Sequence, residues 1–185
     1  MTNIKSICVY CGSSDDVSPA YLALATELGR TLAAKGIRLV YGGGNVGLMG
    51  ATARAAHGDG GDVLGIIPKF LLQNERLFEE VEHKIVDDMH TRKQMMFDAS
   101  DAFIVLPGGI GTLEEAVEML SWARLGLHAK PMAFLDEDGF WTPFFDLMDH
   151  IIEGKFTPEE FRSMLIHTDA PEHAIIALQD AIISI

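Results

Sequence analysis

Short apolar runs alternate with longer segments of helical periodicity along most of the chain. The runs at 37–41, 63–67 and 102–106 are mostly apolar, and each is followed by a glycine or a proline. Strands buried on both faces have this composition. The segment after Pro19 instead repeats leucine and alanine at the spacing of a helix. The alternation predicts a single Rossmann-like α/β domain over residues 1–185, with helices on both faces of a parallel sheet.

The individual elements follow from the same pattern and from the residues that start or stop them. Ser18 is expected to cap the first helix, with Pro19 in its first turn and Gly36 as its stop. No clear pattern covers residues 70–82. Strands are predicted at 4–10, 37–41, 63–67, 84–86, 102–106 and 131–135. Further helices are predicted at 47–57, 89–99, 112–125, 140–153, 158–165 and 171–183.

Three turns that contain glycine, at 11–14, 42–50 and 107–111, each follow a predicted strand. The carboxyl ends of parallel strands meet at one edge of the sheet, and ligands of open α/β sheets bind beyond that edge. All three turns should therefore open on the same edge of the sheet. The substrate contacts expected in the first two turns are Gly12, Ser13, Gly43 and Gly44.

The third turn and the helix after it have the composition of an anion site. Glycines remove side chains from the turn, so that backbone amides and a hydroxyl can point at a phosphate at the start of a helix. It is not a P-loop, because no Lys-Ser or Lys-Thr pair follows the last glycine. The residues expected to hold the anion are Gly108, Gly109, Ile110, Gly111 and Thr112.

Residues 42–47 match the pattern G-x-G-x-x-G of dinucleotide-binding proteins. That interpretation needs an acidic residue at the end of the next strand, and the candidate Asp62 precedes its predicted strand instead. The pattern also follows the second strand rather than the first. An NAD site is therefore disfavoured, whereas close approach of the backbone to a phosphate or to another chain segment stays open.

Charged residues near the third turn allow more than one interpretation. Thr112 and Glu115 have the spacing of a capping box, and Glu114 suits the first turn of a helix. Arg92 and Lys93 lie at the start of a predicted helix, where a cation is unfavourable unless an anion is near. That anion is either a bound phosphate or a neighbouring aspartate, at position 87 or 88.

Composition and charge narrow the function classes. The formal net charge of −13 argues against binding to nucleic acid. No apolar run approaches the roughly 20 residues of a membrane span, and the first five residues do not resemble a signal peptide, so a cytoplasmic location is expected. Cys8 and Cys11 have the spacing of a redox pair but lack its helical context, and no histidine or cysteine spacing indicates a metal site.

Two segments together resemble one family. Residues 89–93 (MHTRK) and 107–115 (PGGIGTLEE) are similar to the signature of the Lonely Guy (LOG) proteins, and the resemblance extends to 9–14, 41–50 and 127–131. LOG proteins are cytokinin riboside 5′-monophosphate phosphoribohydrolases, long mislabelled as lysine decarboxylases. The combined motifs are specific, whereas each glycine-rich turn alone is not.

The resemblance implies a Rossmann-like hydrolase that works as a homodimer or higher oligomer. It implies cleavage of the N-glycosidic bond of adenosine 5′-monophosphates, with or without an N6 substituent, into free base and ribose 5-phosphate. Arg92 and Glu115 would be the catalytic pair, and neither a metal nor an organic cofactor would be required. Further substrate contacts would come from Lys93, from Glu114 within the 109–115 segment, and from Glu75, which matches a carboxylate that binds the base or the sugar.

Two other functions stay open for such a chain. Molybdenum-cofactor carrier proteins resemble the same family and bind a phosphorylated pterin at the same edge, but retention of Arg92 and Glu115 argues against carriage alone. Lysine decarboxylation normally needs a lysine that binds pyridoxal phosphate, and nothing in the sequence identifies Lys93 or Lys130 as that residue.

Overall fold

Buried strands form the centre of the computed structural model, which describes residues 4–183. Residues 1–3 and 184–185 of the predicted domain lie outside the described range. Part of the expectation about a signal peptide depends on residues 1–3. The strands are β1 (Ser6–Tyr10), β2 (Arg38–Tyr41), β3 (Val63–Pro68), β4 (Glu82–Val86), β5 (Ala102–Val105), β6 (Met132–Leu135) and β7 (Ile166–Thr168).

Helices connect these strands, and most begin where the sequence predicts. Ser18 caps the first helix, and its side chain accepts a hydrogen bond from the Ala20 amide. The helices are α1 (Pro19–Ala34), α2 (Gly47–Gly58), α3 (Leu72–Glu75), α4 (Met89–Asp98), α5 (Ile110–Arg124), α6 (Thr142–Glu153) and α7 (Pro171–Ile183). Short 3₁₀ turns span Lys69–Leu71 and Glu159–Met164.

All neighbouring strands pair in parallel, in the order β4-β3-β2-β1-β5-β6-β7. Apolar residues of α1, α2 and α7 cover one face of the sheet, and those of α4, α5 and α6 cover the other. The predicted fold class is therefore confirmed. None of the helices between residues 4 and 183 is both long and apolar enough to cross a bilayer.

The strand order reverses direction at β1. From β1 the chain builds outward to β2, β3 and β4 on one side, and then returns to place β5 on the other side. The connections after β1 and β5 diverge at this point and leave a crevice beyond the carboxyl ends of the two strands. The Gly12 amide donates to the Pro107 carbonyl at 3.0 Å. This bond holds the connections after β1 and β5 together where they border the crevice.

Two differences from the predicted elements change the interpretation of the fold or the site, whereas other boundaries shift by one or two residues. The helix predicted at 158–165 is wrong, because that segment is the 3₁₀ turn Glu159–Met164 followed by the unpredicted strand β7. β7 is a three-residue edge strand with an exposed histidine in its centre, so it shows neither a long apolar run nor a clean alternation. Helix α5 begins at Ile110 rather than at Thr112, which changes the interpretation of its first turn.

Helices α1 and α2 pack closely at a glycine. A Cβ atom added to Gly29 would overlap the carbonyl oxygen of Thr52 on α2. That oxygen belongs to a helix backbone and cannot rotate away, so a side chain at position 29 would push the two helices apart.

We predict that Gly29→Ala lowers the free energy of unfolding by about 1–3 kcal/mol through overpacking, as measured by urea denaturation. The matched control is Gly58→Ala at the end of α2, where an added Cβ meets no atom within 4 Å. Equal stability of the two variants would contradict the close packing of α1 against α2.

Candidate active site

A cavity of about 490 Å³ opens at the crevice between β1 and β5. Connections that follow β1, β3 and β5 meet there with the first turns of α2, α4 and α5, so the glycine-bearing edge of the sheet is indeed concave. The lining residues are Cys11, Gly12, Ser13, Met49, Phe70, Leu71, Glu75, Met89, Arg92, Gly109, Ile110, Gly111, Thr112, Glu114 and Glu115.

The start of α5 forms one end of this cavity. Gly109 is the N-cap residue and has no side chain that could accept a hydrogen bond from the first turn. The first amides of a helix have no partner within the helix, and the helix dipole makes this end electropositive. The amides of Ile110, Gly111 and Thr112 are therefore placed to bind an anion such as a phosphate.

Close contacts fix the geometry of this turn. Thr112 is buried, and its hydroxyl occupies the space that a side chain at position 108 would need. The backbone of Gly12 approaches Gly108 from the connection after β1. Gly108 itself does not line the cavity, so the structure gives it a packing role, and direct contact with a substrate stays a prediction for it.

Glu115 lies in the second turn of α5, at the floor of the cavity. Because the helix begins at Ile110 and is capped by Gly109, Glu115 is the sixth helical residue and is too far from the helix start to form a capping box with Thr112. Burial raises the pKa of Glu115 to about 7, although the positive charge of Arg92 opposes this shift. A carboxyl group with this pKa exchanges a proton readily near neutral pH.

Arg92 extends from α4 to the ends of two strands. Its Nε donates to the Ile66 carbonyl at 3.1 Å, and its Nη2 donates to the Gly42 carbonyl at 3.1 Å. A Cβ atom at position 42 would overlap this guanidinium, so the glycine makes room for it. Only 6% of the arginine is exposed. Its charge is thus held inside the protein and faces the cavity carboxylates.

Neither aspartate before α4 pairs with Arg92. Asp87 forms an ion pair with Lys69 at 2.6 Å, and Asp88 caps α4 by accepting from the Thr91 amide at 2.7 Å. The carboxylate near Arg92 is Glu75, whose Oε2 lies 3.7 Å from Nη2. The alternative of a salt bridge to position 87 or 88 is therefore wrong.

The second glycine turn contacts other parts of the chain. The Gly43 carbonyl accepts from the Phe78 amide at 3.1 Å, and Gly44 forms a bridge with Leu77. At the start of α2, the amide of Gly47 donates to Asp15 at 2.7 Å and that of Leu48 donates to Gly12 at 3.0 Å.

These bonds decide between the alternatives left open for the G-x-G-x-x-G pattern. The turn supports the segment after α3, and the helix start that would hold a pyrophosphate is occupied by the connection after β1. Asp62 pairs with Arg38 at the opposite edge of the sheet, at 3.3 Å. Gly43 and Gly44 do not line the cavity, and substrate contact stays a prediction for both.

Lys93 is held by two carboxylates. Its Nζ lies 2.6 Å from Glu114 Oε1 and 2.9 Å from Glu118 Oε2, and both partners raise its pKa against the effect of burial. Lys93 is not among the lining residues, whereas Glu114 is. A contact between Lys93 and substrate would require this ion pair to rearrange.

Comparison with known proteins identifies the family of this chain. A family model described as "Possible lysine decarboxylase" matches residues 49–178. The "Cytokinin riboside 5′-monophosphate phosphoribohydrolase LOG" of Oryza sativa subsp. japonica is 43% identical over 180 residues, which cover 97% of this chain and 74% of the rice protein. LOG3 of Arabidopsis thaliana, named as the same activity, is 41% identical over 180 residues, which cover 97% of this chain and 84% of that protein. The chain belongs to the LOG family.

Solved structures share the fold of this LOG family member at lower identity. The molybdenum cofactor binding protein of Rippkaea orientalis is 23% identical with a TM-score of 0.71, and the match covers 98% of this chain and 99% of that one. The molybdenum cofactor carrier protein of Chlamydomonas reinhardtii is 21% identical with a TM-score of 0.72, covering 96% and 98%. At these identities the likeness shows the fold alone.

Several lining residues of the LOG chain were not predicted. Phe70 and Leu71 follow β3, so the rule that ligands bind beyond strand ends points to them as well as to the glycine turns. Met89 lies one helical turn before Arg92. Cys11 and Met49 lie within the glycine-bearing turns 11–14 and 42–50, but neither was among the substrate contacts expected there.

We predict that Glu115→Gln stabilises the protein at pH 8, because the partly buried carboxylate is harder to ionise in the folded chain than in the unfolded chain. Since the folded pKa of about 7 exceeds the ordinary 4.5, stability linked to Glu115 is present below pH 4.5 and is lost as pH rises through 7. The gain at pH 8 should be about 2–3 kcal/mol in urea denaturation and should shrink at pH 5.

The exposed neighbour supplies the control. Glu114→Gln removes the same charge at the cavity rim, where solvent screens it, and should change stability by less than about 1 kcal/mol. A loss of stability in Glu115→Gln at pH 8 would show that the Glu115 carboxylate stabilises helix α5, and would contradict the prediction that its ionisation opposes folding.

Proposed function

We propose that this LOG family member hydrolyses the N-glycosidic bond of adenosine 5′-monophosphates, including N6-substituted ones, and releases the free base and ribose 5-phosphate. One observation carries the proposal: a single cavity joins the uncapped start of α5 to Glu115 and Arg92. The names of the rice and Arabidopsis relatives support the same reaction. A cytoplasmic location stays a prediction.

The phosphate would bind at the start of α5 and fix the position of the ribose. Glu115 lies one helical turn beyond the amides of this cradle, so the sugar ring would sit over its carboxylate. N-glycoside cleavage develops positive charge on the ribose, which an ionised carboxylate stabilises. The same carboxylate can accept a proton from the attacking water. The energy of phosphate binding is thereby used to place the scissile bond.

Arg92 would contribute charge and orientation. Its guanidinium is fixed by the Ile66 and Gly42 carbonyls, so it is preorganised before substrate binds. It offsets part of the cost of ionising Glu115 and has donors left for the phosphate or the ribose hydroxyls.

Apolar side chains would receive the base. Phe70 and Leu71 lie on the 3₁₀ turn after β3, and Met89 lines the same cavity from α4. Phe70 is 60% exposed and lines the cavity, so its ring has free surface that a base can contact. We therefore assign the base, and an apolar N6 substituent, to this wall.

We also propose a homodimer. Ile110, Val117 and Leu125 lie along α5 at seven- and eight-residue spacing and are exposed by 83%, 44% and 69%. This spacing places them on one face of the helix, next to the cavity mouth. A second copy that packs on this face would bury apolar surface and shield the site from water.

Two alternative functions fit the cavity less well. A carrier of a phosphorylated cofactor needs the anion cradle but not a proton-exchanging carboxylate opposite a fixed arginine. A decarboxylase that uses a pyridoxal lysine needs that amine in the site, but no lysine lines the cavity within residues 4–183. Lys93 is bound by carboxylates, and Lys130 lies beside Phe97, near the amino end of β6.

We predict that AMP is cleaved at least 100-fold faster than adenosine, judged by kcat/KM from HPLC of the released adenine, because about 3 kcal/mol of phosphate binding would be lost. Arg92→Ala and Glu115→Ala should each lower turnover of AMP by at least 100-fold while the chain stays folded by circular dichroism.

The control for these variants is Arg124→Ala, which removes a guanidinium from the far end of α5 and should leave turnover unchanged. Equal cleavage of adenosine and AMP would overturn the role of the cradle. Binding of nucleotide without turnover would favour the carrier.

We predict that Phe70→Ala raises KM for N6-isopentenyl-AMP about 10-fold and KM for AMP about 2-fold, because the larger substrate loses more apolar contact. The control is Phe156→Ala, at an exposed phenylalanine after α6 that does not line the cavity. The same change in KM for both substrates would contradict a base wall at Phe70.

A further inference from the structure

Two carboxylates line the cavity from different elements. Glu115 lies on α5, one helical turn beyond the amides of the anion cradle. Glu75 lies on the short helix α3, four residues after Leu71 of the base wall. Arg92 approaches both, and its Nη2 is 3.7 Å from Glu75 Oε2. The two acids therefore reach the cavity from different elements, and the charge of Arg92 acts on both.

Glu75 Oε2 has no hydrogen-bond partner among the described residues, although the atom is buried. Its separation from Arg92 is longer than a hydrogen bond. A buried carboxyl oxygen without a donor is unusual, and a proton or a donor group on a ligand would satisfy it. The carboxyl group of Glu75 can therefore form a hydrogen bond with a ligand that contacts the base wall.

The electrostatics favour one proton on this pair of acids. Burial raises the pKa of Glu75, and Arg92 opposes that shift. Burial raises the pKa of Glu115 to about 7, and the charge of Glu75 adds to it. The charges of Arg92, Glu114 and Lys93 also change the pKa of Glu115. The Cys11 thiol interacts electrostatically with both acids. Acids that interact electrostatically titrate as a pair, so a single proton belongs to the pair rather than to either residue.

We propose that Glu75 is the general acid that protonates the leaving base. The inference depends on the proposed hydrolysis. The C1′–N9 bond breaks and its electron pair passes to the purine, which takes the carboxyl proton of Glu75 on a ring nitrogen. Water forms the new bond to C1′ and gives its proton to the Glu115 carboxylate. Proton exchange with solvent then restores the starting state.

The positions of the acids decide which performs which step. A purine leaves poorly as an anion, so a proton donor has to reach the base, and Glu75 is the acid on the base side. Glu115 lies on the side of the phosphate and sugar, where a negative charge stabilises the developing cation. These opposite roles are assigned from position alone: Glu75 follows the base wall along the chain, and Glu115 adjoins the cradle on α5.

The test compares a natural leaving group with one that needs no proton. The substrates are AMP and p-nitrophenyl β-D-ribofuranoside 5-phosphate, whose phenolate is a stable anion. The variants are Glu75→Gln, Glu75→Ala and Glu115→Gln. Glu79→Gln is the matched control, at an exposed carboxylate four residues after Glu75. Thermal unfolding and circular dichroism confirm that each variant is folded.

We expect Glu75→Gln and Glu75→Ala to lower kcat on AMP by about 100-fold or more and kcat on the p-nitrophenyl substrate by less than about 5-fold. Glu115→Gln should lose both activities, and Glu79→Gln should lose neither. In the wild type, kcat on AMP should fall as pH rises and Glu75 loses its proton, and this fall should be absent with the p-nitrophenyl substrate.

Equal losses on both substrates in the Glu75 variants would show that Glu75 only positions the nucleotide, and would overturn the proposal. Unchanged AMP turnover in those variants would overturn it as well. Failure of the wild type to cleave either substrate would instead overturn the proposed hydrolysis, so the two failures are distinguishable.

Discussion

A guanidinium buried at the carboxyl edge of the sheet sets the layout of the site. Arg92 is bonded to carbonyl oxygens at the ends of β2 and β3, and these strand ends cannot move without disrupting the sheet. A buried charge is costly unless acceptors and counter-charges surround it. The glycine at 42 and the carboxylates of Glu75 and Glu115 meet that demand, so the arginine determines where the acids can lie.

The second constraint is the reversal of strand order between β1 and β5. It opens the crevice at one place only along the edge, and it brings the connection after β1 against the start of α5. The anion-binding end therefore comes from backbone, whereas the chemistry comes from side chains on α3, α4 and α5. A cradle made of backbone amides is rigid and sequence-tolerant, but the acids depend on burial and on their neighbours.

The pattern of apolar residues predicted the sheet, its buried strands and most helix starts, because these depend on local periodicity. It failed at β7, whose three residues take their conformation from pairing with β6. It also placed the start of α5 at Thr112, so a capping box seemed to explain Glu115. The helix starts two residues earlier because glycine at 109 can begin it without a side-chain cap. Contacts of Glu75 with Arg92 link residues 17 positions apart (92 − 75), which no local pattern reveals.

The raised pKa of the partly buried Glu115 also bears on how such a protein can be engineered. Its carboxylate opposes folding at neutral pH, so a neutral residue at that position would survive heating better than the natural one. A directed-evolution screen that rewards only thermal resistance would enrich inactive clones at this codon. Engineering of heat-tolerant family members therefore has to couple selection to base release, or hold position 115 fixed while other surfaces are varied.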